Sequence, residues 1–242
     1  MCNNYGLAPD FGERFPFEDA GPTLPPPLNE HESYTRLLGW VEEFKGSARI
    51  TGVNRRNYNP VIHTPDETAG NAAPALDFGW WSLWIHGRLP KGYDTWNARD
   101  DKLANGNWWK EPFRQRRGLL PATWYVERGK RFGLGGELFT LGALWSPADV
   151  DGNGHQLLTY TMTTRASVGE ASTVHPRMPL IIAPQLRADW LDPKTVGDEE
   201  LKNAVVAASE ELSRAASIFP DAEPGEAAVQ AAAKKTQEPT LF

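Results

Sequence analysis

The sequence predicts a single α+β domain of mainly antiparallel strands, which form a curled sheet or barrel around the N-terminal cysteine, with helices at the periphery. Two patterns lead to this fold class. Five apolar, strand-like stretches are separated by turn residues, and other segments carry apolar residues at helical spacing. A length of 242 residues fits one main domain with a tail.

The elements follow in a definite order along the chain. Residues 7–30 are rich in proline, glycine and acidic residues and predict an irregular lead-in. A short helix is expected over 33–45 and a closing helical turn over 188–192. An amphipathic helix is expected over 198–219. The predicted strands cover 76–85, 118–128, 137–145, 156–164 and 178–183.

The sequence divides into three parts. The main domain is expected over 1–192 and a C-terminal helical extension over 193–219. The tail, 220–242, is rich in Ala, Glu and Pro and is expected to be disordered. Within the main domain, the polar segment 86–117 is too long for an idle hairpin loop, and loops of that length are usually functional.

Charge and cysteine content exclude several classes of protein. A net charge of −6 argues against nucleic-acid binding driven by the field of the whole protein, although −4 of it falls in the last fifty residues. One cysteine excludes an intramolecular disulfide. No apolar run approaches a membrane span and no signal pattern opens the chain. An intracellular monomer without a membrane partner is expected.

Cys2, the single cysteine, directly follows the start methionine. Removal of Met1 would give Cys2 a free α-amine beside its thiol, with reference pKa values of about 7.7–8.0 and about 8.5. Such a 1,2-aminothiol condenses with an aldehyde to a thiazolidine or attacks an acyl group as an N-terminal nucleophile. Taken alone, this position favours a terminal residue of no consequence, because chain ends tolerate almost any residue.

No residue pattern in the sequence indicates a metal or cofactor site. The five histidines are scattered, and with one cysteine they form no zinc-ligand spacing. We therefore expect no metal and no cofactor.

Several segments, taken in order, carry a resemblance to a known family. They are Met1-Cys2, FGWWSLW (78–84), the triplet Asn97-Ala98-Arg99, PFRQRRGLLPATWYVER (112–128), YTMTTRAS (160–167) and VHPRMPLII (174–182). Together they resemble the motifs of the SOS-response-associated peptidase (SRAP) family from Cys2 to about Asp192. Each motif alone is weak, whereas six in the right order are specific.

The resemblance implies a function and its residues. The family is known for covalent trapping of abasic sites in single-stranded DNA, which protects the lesion, so 1–192 would be the catalytic domain. Cys2 would be the nucleophile, Glu127 and His175 would transfer protons, and Asn97 would orient Cys2 or the opened sugar. A carboxyl group in an aromatic, partly dry setting has its pKa raised toward neutrality, which suits Glu127 for this role.

Basic and aromatic residues near the motifs are candidates for contact with the DNA strand. GVNRRN (52–57) replaces a proline and a threonine of the family pattern by two arginines, which favours phosphate contact. One of two adjacent tryptophans should point inward and the other outward. The candidate DNA-binding residues are Arg55, Arg56, Trp80, Trp81, Arg99, Arg114, Arg117, Thr164 and Arg177.

The chain ends in KKTQEPTLF (234–242), which resembles peptides that bind a replication sliding clamp. Gln237 would fix the peptide backbone, and Leu241 and Phe242 would enter a clamp pocket. A random tail ending in two apolar residues is equally compatible with this stretch. The resemblance further suggests a nucleoid-associated protein, or a nuclear one in a eukaryote.

Two alternatives to abasic-site capture remain at this point. Cys2 could act as the N-terminal nucleophile of an amidase or autopeptidase, and the motifs could belong to a single-strand-binding module without catalytic activity. A denaturing gel with abasic and intact oligonucleotides separates all three.

Overall fold

The computed structural model describes residues 2–49, 58–65, 73–150 and 152–219. Within these ranges, six α-helices run in chain order over Phe11–Arg14 (α1), Phe17–Ala20 (α2), His31–Phe44 (α3), Lys110–Gln115 (α4), Arg187–Leu191 (α5) and Glu199–Ala215 (α6). Short 3-10 helices lie at Gly21–Thr23, Asp100–Lys102, Gly169–Thr173 and Pro184–Leu186. No helix in the described ranges is long and apolar enough to cross a membrane.

Twelve strands are present in the same residues. They run over Asn4–Gly6 (β1), Ser47–Arg49 (β2), Tyr58–His63 (β3), Ala75–Trp81 (β4), Asn97–Arg99 (β5), Arg117–Ala122 (β6), Trp124–Glu127 (β7), Lys130–Gly133 (β8), Phe139–Ala148 (β9), Leu157–Ala166 (β10), Arg177–Pro179 (β11) and Ser217–Ile218 (β12).

Five strands close into a barrel. Strand β10 pairs with β4, β4 with β3, β3 with β6, β6 with β9, and β9 again with β10. Strands β5 and β11 attach to the far part of β10. Every pairing is antiparallel except those of β10 with β4 and with β5. The predicted α+β class with mainly antiparallel strands is therefore confirmed.

A second, five-stranded antiparallel sheet covers one side of this barrel, in the order β12-β8-β7-β1-β2. Strand β1 lies between β7 and the edge strand β2. The side chains between sheet and barrel are large and buried, and the hydroxyls of Tyr5 and Tyr160 meet there at 2.8 Å. This packing places the N-terminal residues in the interior of the molecule.

The predicted strand 118–128 is wrong in one respect, because it is two strands in two different sheets. Strand β6 belongs to the barrel and β7 to the five-stranded sheet. The chain changes sheets at Thr123, whose N–H donates to the carbonyl oxygen of Gly6 on β1 at 2.8 Å. A change of partner within an unbroken apolar run leaves no periodic signal.

The two long helices differ from expectation mainly at their ends. Helix α3 buries Tyr34, Leu37, Trp40 and Val41, as its periodicity predicts. Asp198 caps α6 by accepting hydrogen bonds from two backbone N–H groups of its first turn. The predicted end of that helix at 219 is wrong, because α6 stops at Ala215 and the chain continues as β12. The lead-in also contains α1 and α2, too short for sequence periodicity to reveal.

Candidate active site

Cys2 lies fully buried just before β1. Its Sγ donates to the carbonyl oxygen of Asn4 at 3.3 Å. Burial, and secondly the nearby charge of Glu127, raise the pKa of the thiol to about 12. The thiol is therefore protonated at neutral pH and needs a base to remove its proton when it reacts.

Asn97 holds the main chain of Cys2. Its Nδ2 donates to the Cys2 carbonyl oxygen at 2.8 Å. Strand β5 carries Asn97 and is kept in place by parallel pairing with β10, where Asn97 aligns with Met162. The Asn97 Oδ1 atom is buried and has no hydrogen-bond partner among the described residues, so it is available to a ligand donor.

Glu127 is the last residue of β7 and is only 2% exposed. The next two residues, Arg128 and Gly129, have φ of 47° and 77° and turn the chain into β8, as a two-residue hairpin of the type I′ kind requires. Burial raises the pKa of Glu127 to about 7, although several smaller effects lower it, among them Arg128 and a hydrogen bond from the Cys2 backbone N–H. Near neutrality this carboxyl group is both acid and base.

His175 completes the group from the segment before β11. Its Nδ1 lies 3.6 Å from Oε2 of Glu127. The same Nδ1 is 2.9 Å from the carbonyl oxygen of Arg177 and 3.1 Å from the Arg177 backbone nitrogen. The ring thus keeps a backbone partner whether Nδ1 donates or accepts.

The structure therefore brings together all four residues that the sequence analysis placed in a catalytic centre. They come from the N-terminus, β5, the end of β7 and the segment before β11. A thiol, a carboxyl group with a pKa near 7 and an imidazole are suited to multistep proton transfer around a carbonyl substrate.

A shell of buried tyrosines around Cys2 was not anticipated. Tyr5 and Tyr160 share a hydrogen bond, and the Trp81 ring stacks on Tyr160 at 5.9 Å between ring centroids. Tyr125 faces Tyr5 across the β1–β7 pair. Its buried hydroxyl has no hydrogen-bond partner among the described residues. Tyr125 precedes Glu127 by two residues, so strand alternation puts both on one face, a signal that could have found it.

Burial is the largest effect on Tyr125 and raises the pKa of its hydroxyl, with further contributions from Cys2 and Glu127. Those two contributions show that the hydroxyl lies within electrostatic range of both groups. Tyr125 therefore belongs to the wall of the candidate active site.

The two adjacent tryptophans point in opposite directions, as strand geometry predicts. Trp81 is buried, and its Nε1 donates to the carbonyl oxygen of Trp96 at 2.8 Å. It is therefore a core residue and is not accessible for base stacking. Trp80 is only partly buried, beside Tyr58, and remains a candidate contact for a base.

Two of the candidate DNA-binding arginines already have carboxylate partners. Arg99 is exposed and pairs with Asp101 through two contacts of 2.8 and 2.9 Å. Arg177 pairs with Asp100 at 2.6 Å and also contacts Thr164, which is buried. A phosphate at either arginine would have to compete with an acidic side chain, and Thr164 supports Arg177 from inside the fold.

Arg117 is a core residue, which corrects the expectation that it contacts DNA. It is 1% exposed, and it donates to the carbonyl oxygens of Phe113, Arg114, Trp190, Asp192 and Thr195 at 2.6–2.8 Å. Burial lowers the pKa of Arg117 to about 10, which still leaves it charged at neutral pH. Arg114, three residues earlier, is exposed and remains a candidate phosphate contact.

The remaining candidates lie outside the described residues. These are Arg55 and Arg56, and the tail residues Gln237, Leu241 and Phe242. Within the described part of the chain, no group of three or more His, Cys, Asp or Glu side chains is placed to hold a metal ion.

The fold and the site define an α+β protein in which a buried cysteine, Cys2, lies in a cluster with an asparagine, a glutamate and a histidine. The sequence profile of the SOS response associated peptidase (SRAP) family matches residues 42–218, more than half of the chain. The protein belongs to this family, as the order of motifs predicts, and membership supports a function associated with DNA damage. No curated protein sequence matches this chain.

Solved structures share the fold at low sequence identity. A phage-related protein from Bordetella bronchiseptica aligns with a TM-score of 0.55 at 19% identity, covering 92% of this chain and 95% of that one. A Bacteroides thetaiotaomicron protein aligns at 0.51 and 18%, covering 66% and 72%. A further B. bronchiseptica protein aligns at 0.50 and 16%, covering 80% and 90%. At these identities the similarity concerns the fold alone.

Proposed function

We propose that this protein captures abasic sites in single-stranded DNA by forming a thiazolidine with Cys2 after Met1 is removed, and thereby protects the lesion. The observation that carries the proposal is the contact between the Cys2 backbone nitrogen and Glu127, a buried carboxyl group with a pKa of about 7. After Met1 removal that nitrogen is the reacting amine. Glu127 would then be the proton acceptor that this amine needs.

The reaction balances without a cofactor. The ring-opened deoxyribose presents an aldehyde at C1′, and the Cys2 amine adds to it to give a carbinolamine. Loss of one water gives an iminium ion, and the Cys2 sulfur then adds to C1′ while its thiol proton leaves. One aldehyde and one aminothiol thus become one thiazolidine and one water.

Glu127 serves this sequence as acid and base in turn. As a carboxylic acid it protonates the departing hydroxyl of the carbinolamine, and as a carboxylate it accepts the thiol proton. The second role is needed because the pKa of the Cys2 thiol is about 12. A group that must act both as acid and as base works best when its pKa is near the ambient pH, because both protonation states are then populated.

His175 and Asn97 complete the assignment. His175 lies 3.6 Å from Glu127 and would exchange protons on the ring-oxygen side of the sugar, where opening of the hemiacetal begins. Asn97 cannot titrate. It holds the Cys2 carbonyl with its Nδ2 and has its Oδ1 left for the amine or for a sugar hydroxyl.

The thiol environment favours capture over an amidase or autopeptidase. An acyl attack begins with the thiolate, whose formation the burial of Cys2 opposes. Capture begins with the amine, so the thiol reacts only after the electrophilic iminium ion has formed beside it. The non-catalytic module has no comparable need for a titrating carboxyl group next to Cys2.

The test mixes the purified full-length protein, its N-terminus verified by mass spectrometry, with an abasic and an intact oligonucleotide. We expect a band shift on a denaturing gel with the abasic strand only. The mass of the adduct should equal the summed masses of protein and oligonucleotide minus one water. Binding on a native gel without a denaturation-resistant band would favour the module. Absence of both would favour the amidase.

A further inference from the structure

A basic cleft of about 420 Å³ opens beside Trp124 on the face of the five-stranded sheet that points away from the barrel. We call it the outer cleft and define it by its lining residues, Pro9, Phe44, Lys45, Ser47, Arg49, Trp124 and Arg131. It lies apart from the Cys2 centre and contains none of the four residues assigned there. Its lining has three cationic side chains and no acidic one.

Strand register explains why these residues share a face. Asn4 on β1 is directly opposite Arg49 on β2 and Val126 on β7, and Val126 is opposite Arg131 on β8. Side chains of directly opposite residues project to the same side of a sheet. Arg49 therefore lies beside Asn4 and Arg131 lies beyond Val126 on the same face, while Tyr5 and Tyr125 project to the opposite, buried side.

Lys45 reaches the cleft through the end of α3. Lys45 and Gly46 have φ of 53° and 62°, which reverses the chain from the helix into β2. Gly46 also passes close to β1, where a Cβ atom would lie 2.2 Å from the carbonyl oxygen of Leu7, so only glycine fits there. This tight turn fixes Lys45 at the rim.

Lys45 and Arg49 are exposed and form no ion pair with any carboxylate of the described residues. The Nε of Arg49 donates to Ser47 Oγ at 3.1 Å, which positions the guanidinium group. Arg131 lies over the Trp124 ring at 4.6 Å from its centroid. The indole face is thus already covered by a cation, which favours an anionic ligand over a stacked base.

The cleft is connected to the Cys2 centre through β1. Ser47 Oγ contacts Asn4 Oδ1 at 3.1 Å, and Asn4 is two residues from Cys2. At about 3.3 Å per residue of extended chain, Asn4 lies about 7 Å along the chain from Cys2.

We propose that the outer cleft binds the sugar-phosphate backbone of the DNA strand on one side, 5′ or 3′, of the captured nucleotide. Lys45 and Arg49 neutralise successive phosphates, and the cleft reads no bases. This inference rests on the proposed function, since it takes the abasic nucleotide at Cys2 as its starting point. It accounts for DNA contact in an acidic protein whose Arg99 and Arg177 are paired with aspartates.

The test uses the double variant Lys45→Gln/Arg49→Gln and fluorescence anisotropy across a range of salt concentrations. Two labelled oligonucleotides carry a tetrahydrofuran abasic analogue, which has no aldehyde and cannot crosslink, at either the 5′ or the 3′ end. Phosphate contacts on single strands contribute a slope of about 0.7 each to the salt dependence of log K. Loss of two contacts should flatten the slope by about 1.4 for one of the two oligonucleotides. The affinity ratio of parent to variant should then shrink about 25-fold over a tenfold rise in salt.

The matched control is Lys91→Gln/Lys194→Gln, which removes two exposed cations that do not line the cleft and should leave both slopes as in the parent. An unchanged slope in the cleft variant would overturn the proposal. So would an equal loss on both oligonucleotides, or the same loss in the control, because each indicates a general charge effect. Crosslinking of the parent to a natural abasic strand is scored separately, so failure of the proposed function and failure of the cleft are distinguishable.

Discussion

The side chain of Asn97 holds the carbonyl oxygen of Cys2 at 2.8 Å, although 95 residues separate them in the sequence. The contact uses the Cys2 main chain and leaves the thiol and the nitrogen to react. A residue at a chain terminus is usually poorly ordered. Here it is fixed in orientation against Glu127, which lowers the entropic cost of bringing amine, thiol and carboxyl group to one carbon atom.

Cys2→Ala should abolish the denaturation-resistant adduct and leave affinity for the tetrahydrofuran oligonucleotide within about twofold, because the substitution removes the thiol without removing a charge. Insertion of one alanine before Cys2 should have the same effect, since the amine becomes an amide. Denaturing gels and anisotropy measure the two quantities. An adduct formed by either variant would contradict the assignment of Cys2.

Glu127→Gln and His175→Ala should each slow crosslinking by about 10²-fold or more, the usual effect of losing a general acid or base. Single-turnover rates at saturating DNA, measured from pH 5 to 9, test this. The parent rate should change through the pKa of Glu127, near 7, and the Glu127→Gln rate should lose that inflection. An equal loss of affinity and rate would instead indicate a structural role.

Glu127 should also make the stability of the protein depend on pH. Its pKa is about 7 in the fold and about 4.3 in an unfolded chain, so between these values the folded state binds more protons. The free energy of unfolding should therefore fall as pH rises from about 4.3 to 7, by up to about 3 kcal/mol. Urea denaturation of parent and Glu127→Gln compares them. A parent curve no steeper than that of the variant would refute the raised pKa.

Tyr125→Phe should slow crosslinking by roughly tenfold while stability stays level or rises by about 1 kcal/mol, because the lost hydroxyl is buried without a described partner. The expected reason for the slower rate is loss of a donor to the bound sugar. Tyr160→Phe is the matched comparison, since it removes the hydrogen bond to Tyr5 and should lower stability. A Tyr125→Phe variant with the parental rate would remove this residue from the active site.

Arg117→Met should lower the free energy of unfolding by about 3–5 kcal/mol, since it leaves five carbonyl oxygens without their donor. Arg114→Met, at an exposed position, should change stability by no more than about 0.5 kcal/mol. It should instead flatten the salt dependence of strand binding by about 0.7 if Arg114 contacts a phosphate. The reverse pattern would restore Arg117 as a DNA contact.

Sequence patterns were sufficient where an element carries its own periodicity. Helix α3 and strands β4, β9 and β10 lie within a few residues of their predicted bounds, because each buries a regular apolar face. Strands β1, β2 and β5 have three residues each, and pairing with distant segments determines them. Strand β12 was mistaken for helix because its two residues follow directly on a strongly helical segment.

For the active site, too, the sequence predicted some features and missed others. Motif order led to Cys2, Asn97, Glu127 and His175, which the structure places together. It gave no information on side-chain environment, so Arg117 and Trp81 were expected at the DNA although both are buried. An arginine in a basic motif and an arginine that binds carbonyl oxygens in the core look alike in a sequence. Only the packing around α5 distinguishes them.

Strand β12 has a practical consequence for any shortened form of the protein. It pairs with β8 through Ser217 and Ile218, and the N–H of Phe219 donates to the carbonyl oxygen of Arg131 at 3.1 Å. A fragment ending near residue 192 would leave β8 as an open sheet edge, which invites intermolecular strand pairing and aggregation. Because Arg131 lies on β8 and lines the outer cleft, exposure of that edge would also disturb the cleft. Expression through Phe219 keeps the edge covered.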